Sequence, residues 1–215
     1  MALVTDPFDS PEQLTVCIDL KDPYCHLALP GTLAMLERTQ HEQQCRWLPF
    51  ERHAMLPPRT ADNETDRSSS HFQQRDLYRE RELQHYAAAL QLPLERLYEN
   101  PDTTVFASAL LWLQAQPAAS RVLHGFLRGY FAAYWSATIS PEDRNACAQL
   151  LDSNGADGGS WLSAGPDNAL VHDQREALRA AGLFNAPAYL LQGEVYYGRA
   201  HLPLIELKLG AQTSR

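Results

Sequence analysis

The run Ile18-Asp19-Leu20-Lys21-Asp22-Pro23-Tyr24-Cys25 constrains the fold of this chain more than any other stretch. Residues 15–20 (Thr-Val-Cys-Ile-Asp-Leu) are β-branched and apolar, types that fit a pleated, buried strand. Asp22-Pro23 then stops the strand and opens a helix. Aspartate suits the N-cap, and proline suits the first helical position, where a missing N–H costs nothing. The pattern predicts a helix over 23–39 with Leu27, Leu29, Leu33, Met35 and Leu36 at its apolar positions, and Pro30-Gly31 predicts a kink within it. A second strand is expected at 45–50. Two strands joined by a helical crossover run parallel, because an antiparallel pair needs only a tight turn.

Residues 51–70 are rich in Pro, Asp, Asn and Ser and carry Pro57-Pro58, so a long surface loop or ordered lid is expected there. Ser70 with Gln73 fits a capping box, and Leu77, Leu83, Tyr86, Ala87 and Leu90 space an apolar face behind it. From 93 to 151 the pattern is helical: 103–116, 120–136, and a helix opened by Ser140 as N-cap with Pro141 at its first position. Asn154-Gly155 and Gly158-Gly159 predict a loop, and 168–181 a helix closed by Gly182. The tail changes period: 188–192 and 194–197 read as a hairpin turning at Gly193, and 202–209 as a final helix. The resulting order is β-α-β, an all-α insertion, then α-β-β-α. The expected units are 14–70 with 168–212 as one α/β domain and 71–167 as an inserted helical domain.

Composition bounds the function. Eighteen basic against 26 acidic residues leave a formal charge of −8 with no dense Lys/Arg run, so nucleic acid is not the expected partner. No stretch approaches the roughly 18 consecutive apolar residues of a membrane span. The opening segment, acidic and broken by Pro7 and Pro11, lacks the form of a signal peptide, which gives a cytoplasmic expectation. Cys17, Cys25, Cys45 and Cys147 form no Cys-x-x-Cys pair, so reduced thiols are expected. His41, His53, His71, His85, His124 and His172 lack metal-ligand spacing, and no metal is expected.

Taken together, the Asp19 to Ala28 run, Tyr78-Arg79-Glu80-Arg81-Glu82-Leu83-Gln84-His85-Tyr86-Ala87, Ala181-Gly182-Leu183-Phe184-Asn185-Ala186-Pro187, Gly193-Glu194-Val195-Tyr196-Tyr197-Gly198 and Leu202-Pro203-Leu204-Ile205-Glu206 carry a resemblance. In order and spacing, over 15–209, the chain resembles the DsbA-like branch of the thioredoxin superfamily, and most of all 2-hydroxychromene-2-carboxylate isomerases and kappa-class glutathione transferases. The resemblance implies a thioredoxin-like α/β fold with a helical insertion, often as a homodimer. It also implies glutathione held between the first helix and a cis-proline loop, here Ala186 and Pro187, with a small-molecule substrate.

The chain departs from that pattern at three places. Asp22 stands where the family has its reactive serine or first cysteine, Ala200 replaces the acid of Gly-x-Asp-Arg in Gly198-Arg199-Ala200-His201, and Leu56 falls near a loop asparagine. Asp22 reads either as an N-cap or as a general base, and its charge is expected to repel a thiolate. Cys25 reads as a core residue or as a reactive thiol at a helix start, and His26 as a helix residue or a proton shuttle. Tyr24 reads as lining the cleft or packing beneath it, and Arg199 is expected at the cleft. Trp112, Phe126, Tyr130, Phe131, Tyr134 and Trp135 read as core, or as an aromatic wall for a flat substrate. Three functions follow: a glutathione-related isomerase or transferase on a small apolar or aromatic substrate, an oxidoreductase working through Cys25 alone, or a non-catalytic binding protein.

Overall fold

The computed structural model describes residues 6–10, 13–52, 55–57, 67–116 and 120–213. Strand β1 (Thr15–Ile18) leads through Asp22 into α1 (Pro23–Thr39), and β2 (Arg46–Pro49) returns parallel to β1, with Val16 opposite Trp47. Late in the chain β3 (Ala188–Leu191) and β4 (Glu194–Tyr197) form a hairpin, and the sheet order is β2-β1-β3-β4. β3 runs antiparallel to β1. Both central strands are buried along their whole length, as their unbroken apolar sequences require. The hairpin turns at Gln192 and Gly193, both with positive φ (55° and 77°), the geometry whose twist matches that of the flanking strands.

Between β2 and β3 lie α2 (Arg67–Leu90), α3 (Thr104–Gln114), α4 (Ser120–Trp135), α5 (Arg144–Ser153), α6 (Gly158–Ala164) and α7 (Asn168–Ala180). After β4 a 3-10 turn, Arg199–His201, enters α8 (Leu202–Thr213). This is the thioredoxin-like order expected from the sequence. α1 is continuous through Pro30 and packs its five anticipated apolar residues into the core. Its Thr32 hydroxyl donates to the Ala28 carbonyl (2.9 Å) and lies 2.7 Å from the Tyr189 hydroxyl, linking α1 to β3.

Local detail differs from the sequence reading in four places. α2 begins at Arg67, ahead of the expected start at Ser70. Only Leu83 and Ala87 of its anticipated face are buried, in a small cluster with Leu27, while Tyr86 and Leu90 stay exposed. α5 is capped by Asp143, whose Oδ1 accepts from Asn145 and Ala146 N–H, and not by Ser140. The Gly158-Gly159 pair opens a helix capped by Asp157. A Cβ on Gly158 would lie 2.2 Å from the Ala148 carbonyl oxygen, so this glycine permits α6 to approach α5 and does not mark a loop.

In the helical block Phe106, Phe126, Tyr130, Phe131, Tyr134 and Trp135 interlock, with ring centroids 4.5 to 6.0 Å apart. All six are at most 1% exposed. They are core, and the alternative of an aromatic wall on the cleft does not hold for them. Among the described residues no helix is long and apolar enough to cross a membrane.

Candidate active site

Because β1 and β2 are parallel, their carboxyl ends emerge on one edge, and residues 19–22 leave the sheet beside residues 50–52. The Phe50 N–H donates to the Ile18 carbonyl at 2.9 Å, prolonging the ladder. Asp19, fully buried, takes the next two links: one carboxyl oxygen accepts from the Lys21 N–H (3.1 Å), the other from the Arg52 N–H (2.9 Å). Burial pushes its pKa up to about 7, the charge of Asp22 adds to the rise, and the two N–H groups oppose it.

Asp22 is the N-cap of α1. Its Oδ1 accepts from Tyr24 N–H (2.7 Å) and Cys25 N–H (3.2 Å), and its Oδ2 accepts from Nη1 of Arg52 at 2.5 Å. Burial drives this carboxyl upward, and the Arg52 guanidinium is the main force holding it down. The pair is lopsided: the Asp22 side chain is 2% exposed and that of Arg52 27%. Asp22, whose charge is expected to repel a thiolate, does not stand alone. Its charge is met by a cation, and the cation is the end that solvent reaches.

Cys25 and His26 lie behind this surface. Cys25 is 0% exposed, its sulfur accepts from the Asp19 N–H at 3.3 Å, and burial followed by the charges of Asp22 and Asp19 pushes the thiol well above its usual range. That is the opposite of an activated thiolate. His26 stacks on Phe131 and Trp135 with centroids 5.7 and 5.4 Å away, and its Nε2 is 2.9 Å from the Pro93 carbonyl, to which it donates as N–H. Burial lowers its pKa to about 4, so it is a neutral core residue near pH 7.

The remaining candidates line one cleft of about 970 Å³. Tyr24 forms one wall, with the Arg52 guanidinium 5.7 Å from its ring centre, and Met55, Leu56 and Pro57 add apolar surface. Opposite stand Ala186 and Pro187, joined by a cis peptide. The Pro187 carbonyl accepts from the Gly198 N–H (2.8 Å), which places Arg199 beside the turn, and the Arg199 guanidinium sits 3.5 Å over the Tyr86 ring of α2. The Ala186 N–H donates to Asn185 Oδ1 at 3.0 Å. Arg79, paired with Asp76 at 3.5 Å, completes a set of three cleft arginines with Arg52 and Arg199. No described lining residue is a cysteine or serine.

Sequence reasoning gives no role in the site to Asp19, Arg52 or Arg79, although Asp19 and Arg79 lie in the runs that carry the resemblance. Arg52 sits in a Pro- and Asn-rich loop with no periodicity to single it out. The available signal was positional: residues just beyond the carboxyl ends of two parallel strands meet. Much of 51–70, with Pro58 and His53, lies outside the described residues, as does the His71 side chain.

The DSBA-like thioredoxin domain model matches residues 13–210. Among solved structures, a 2-hydroxychromene-2-carboxylate isomerase aligns with a TM-score of 0.65 at 17% identity, covering 93% of this chain and 95% of that one. A probable DsbA oxidoreductase from Streptomyces coelicolor aligns with a TM-score of 0.62 at 16% identity, covering 94% and 90%. At these identities the likeness concerns the fold. None of the curated proteins compared with the chain matches it.

Proposed function

The chain belongs to the DSBA-like thioredoxin domain family, and on that premise we propose that it is a glutathione-related isomerase or transferase, acting on a small apolar or aromatic substrate in the cleft between the start of α1 and the Ala186-Pro187 turn. One observation carries this reading: the cleft is open and cationic, yet the protein contributes no thiol to it, since Cys25 is enclosed. Thiol chemistry at this place therefore needs a thiol that arrives with a ligand. Glutathione fits by charge, because its two carboxylates match cleft arginines. When bound it would supply a soft nucleophile.

The chain's own groups have separable tasks. Arg79 and Arg199 receive carboxylates, Arg199 with its plane already fixed on Tyr86. Tyr24, Met55 and Leu56 give a flat, partly apolar surface for the second substrate. The backbone of Ala186 receives the peptide part of the ligand, for which its N–H must leave Asn185. Titration with millimolar glutathione is expected to raise the melting temperature saturably, with conjugation or isomerisation of an aromatic electrophile in the same range. No thermal shift at millimolar glutathione overturns the cofactor assignment. As in the resembled family a homodimer accompanies this reading, and light scattering of the purified chain checks it.

A second reading, a non-catalytic binding protein, is favoured by the carboxyl at position 22 being spent on capping and on Arg52. Ligand binding without turnover across an electrophile panel would select it. The single-thiol oxidoreductase has least support, because Cys25 would have to emerge from beneath the Asp22-Arg52 pair.

A further inference from the structure

A negatively charged ligand atom approaching the start of α1 finds the helix N–H groups already taken. Those of Tyr24 and Cys25 are held by Asp22 Oδ1, so the helix terminus itself offers little to an incoming anion. Beside them stands Arg52, tethered twice: its backbone N–H to Asp19 and its Nη1 to Asp22. Its Nε and Nη2 make no hydrogen bond to any described residue, and the side chain lines the cleft. The acid end of the pair is sealed and the basic end is presented.

We propose that Arg52 is the thiolate-receiving group of the cleft, with Asp22 as its positioning residue. The thiolate of bound glutathione then meets a guanidinium where the resembled isomerases present a hydroxyl. The step would be an ionisation: the S–H bond would break, the proton would leave to water, the electron pair would stay on sulfur, and the Arg52 guanidinium would hold that charge. Aspartate at position 22 is thus the means by which a cation is held over the cleft, not a lost nucleophile. This inference rests on the glutathione reading and deepens it.

The test compares wild type with the double variant Asp22→Asn/Arg52→Gln, which has the same net charge and keeps an N-capping side chain. Glutathione affinity is measured by calorimetry and thiolate content by absorbance at 240 nm during a pH titration of the complex. Wild type is expected to ionise bound glutathione at lower pH than the free tripeptide, and the double variant to bind about tenfold more weakly with that shift abolished. Arg52→Lys, which keeps the cation, is expected to retain a downward shift, separating charge from folding. Equal affinity and an equal thiol titration in wild type and double variant overturn the role of Arg52 while leaving the cofactor in place. A wild type that does not bind glutathione overturns both.

Discussion

Two ion pairs cross the same gap side by side, and they are built in opposite senses. Lys21 reaches Glu51 at 2.6 Å, and the next residue on each strand exit, Asp22, reaches Arg52 at 2.5 Å. In the first the cation is the buried end, with Lys21 7% and Glu51 30% exposed, and Arg175 and Arg179 lie 3.4 and 4.0 Å from the same carboxylate. In the second the anion is buried and, among the described residues, meets a single cation. Both staple the exit of β1 to the exit of β2. Only the second sets its cation on the cleft lined by Ala186 and Pro187, so the two pairs share a place in the strand exits and differ in which end they present.

The difference is sharpest when one partner of each pair is removed. Arg52→Ala leaves Asp22 buried with no counter-ion and is expected to cost about 3 kcal/mol at neutral pH, whereas Lys21→Ala leaves Glu51 half-solvated beside two arginines and should cost about 1 kcal/mol. Urea unfolding of the two variants measures this, and equal losses would make the two pairs equivalent. The Arg52→Ala deficit should also shrink in acid, as the orphaned carboxyl takes a proton.

Asp19 underlies the second pair and gives the next largest effect. Its folded pKa of about 7 lies above the ordinary carboxyl value, so its contribution to stability is complete in acid below about pH 4 and is lost as pH rises through 7. Asp19→Asn is therefore expected to gain on wild type by about 2 kcal/mol between pH 5 and 8. Unfolding free energies at the two pH values decide it. A constant difference would mean that Asp19 is ionised throughout.

How much of this could be read beforehand follows the same division. α1, α7 and the 188–197 hairpin were legible because capping, period and turn residues agree there: Asp22-Pro23 opens α1, Gly182 follows α7 with φ 88°, and Gly193 sits in the turn. α5 was displaced because Ser140-Pro141 and Asp143 are competing start signals three residues apart. α6 was missed because Gly158 answers to the Ala148 carbonyl of α5, a contact no local pattern reveals. At the site, Tyr24, Ala186, Pro187 and Arg199 were placed on the cleft by residue type and resemblance. Arg52 was hidden because its significance lies in a partner 30 residues away and in which end of the pair is exposed.

Cys25, directly beneath the second pair, sharpens the contrast between surface and interior. Its sulfur fills space and takes the Asp19 N–H, so Cys25→Ala should cost about 1 kcal/mol while glutathione binding persists. Alkylation in the folded protein is expected to be slower than for a free cysteine. Loss of glutathione-dependent turnover in Cys25→Ala, at unchanged fold, would return the thiol to the mechanism.

His26 probes the side of α1 that faces away from the ion pairs, and its effect is the smallest. His26→Phe keeps the stack on Phe131 and Trp135 and gives up the bond to the Pro93 carbonyl, so near pH 7 it should cost no more than about 1 kcal/mol. The folded pKa of about 4 lies below the ordinary histidine value near 6.5. The unfolded chain therefore binds a proton that the folded one refuses, and wild type loses stability as pH falls from about 6.5 toward 4 while the phenylalanine variant does not. The two stability curves should cross at about pH 6, where that growing penalty equals the lost hydrogen bond. A wild type that keeps its advantage down to pH 4 would mean that His26 accepts the proton in place, and that the core behind α1 admits charge as the cleft side does.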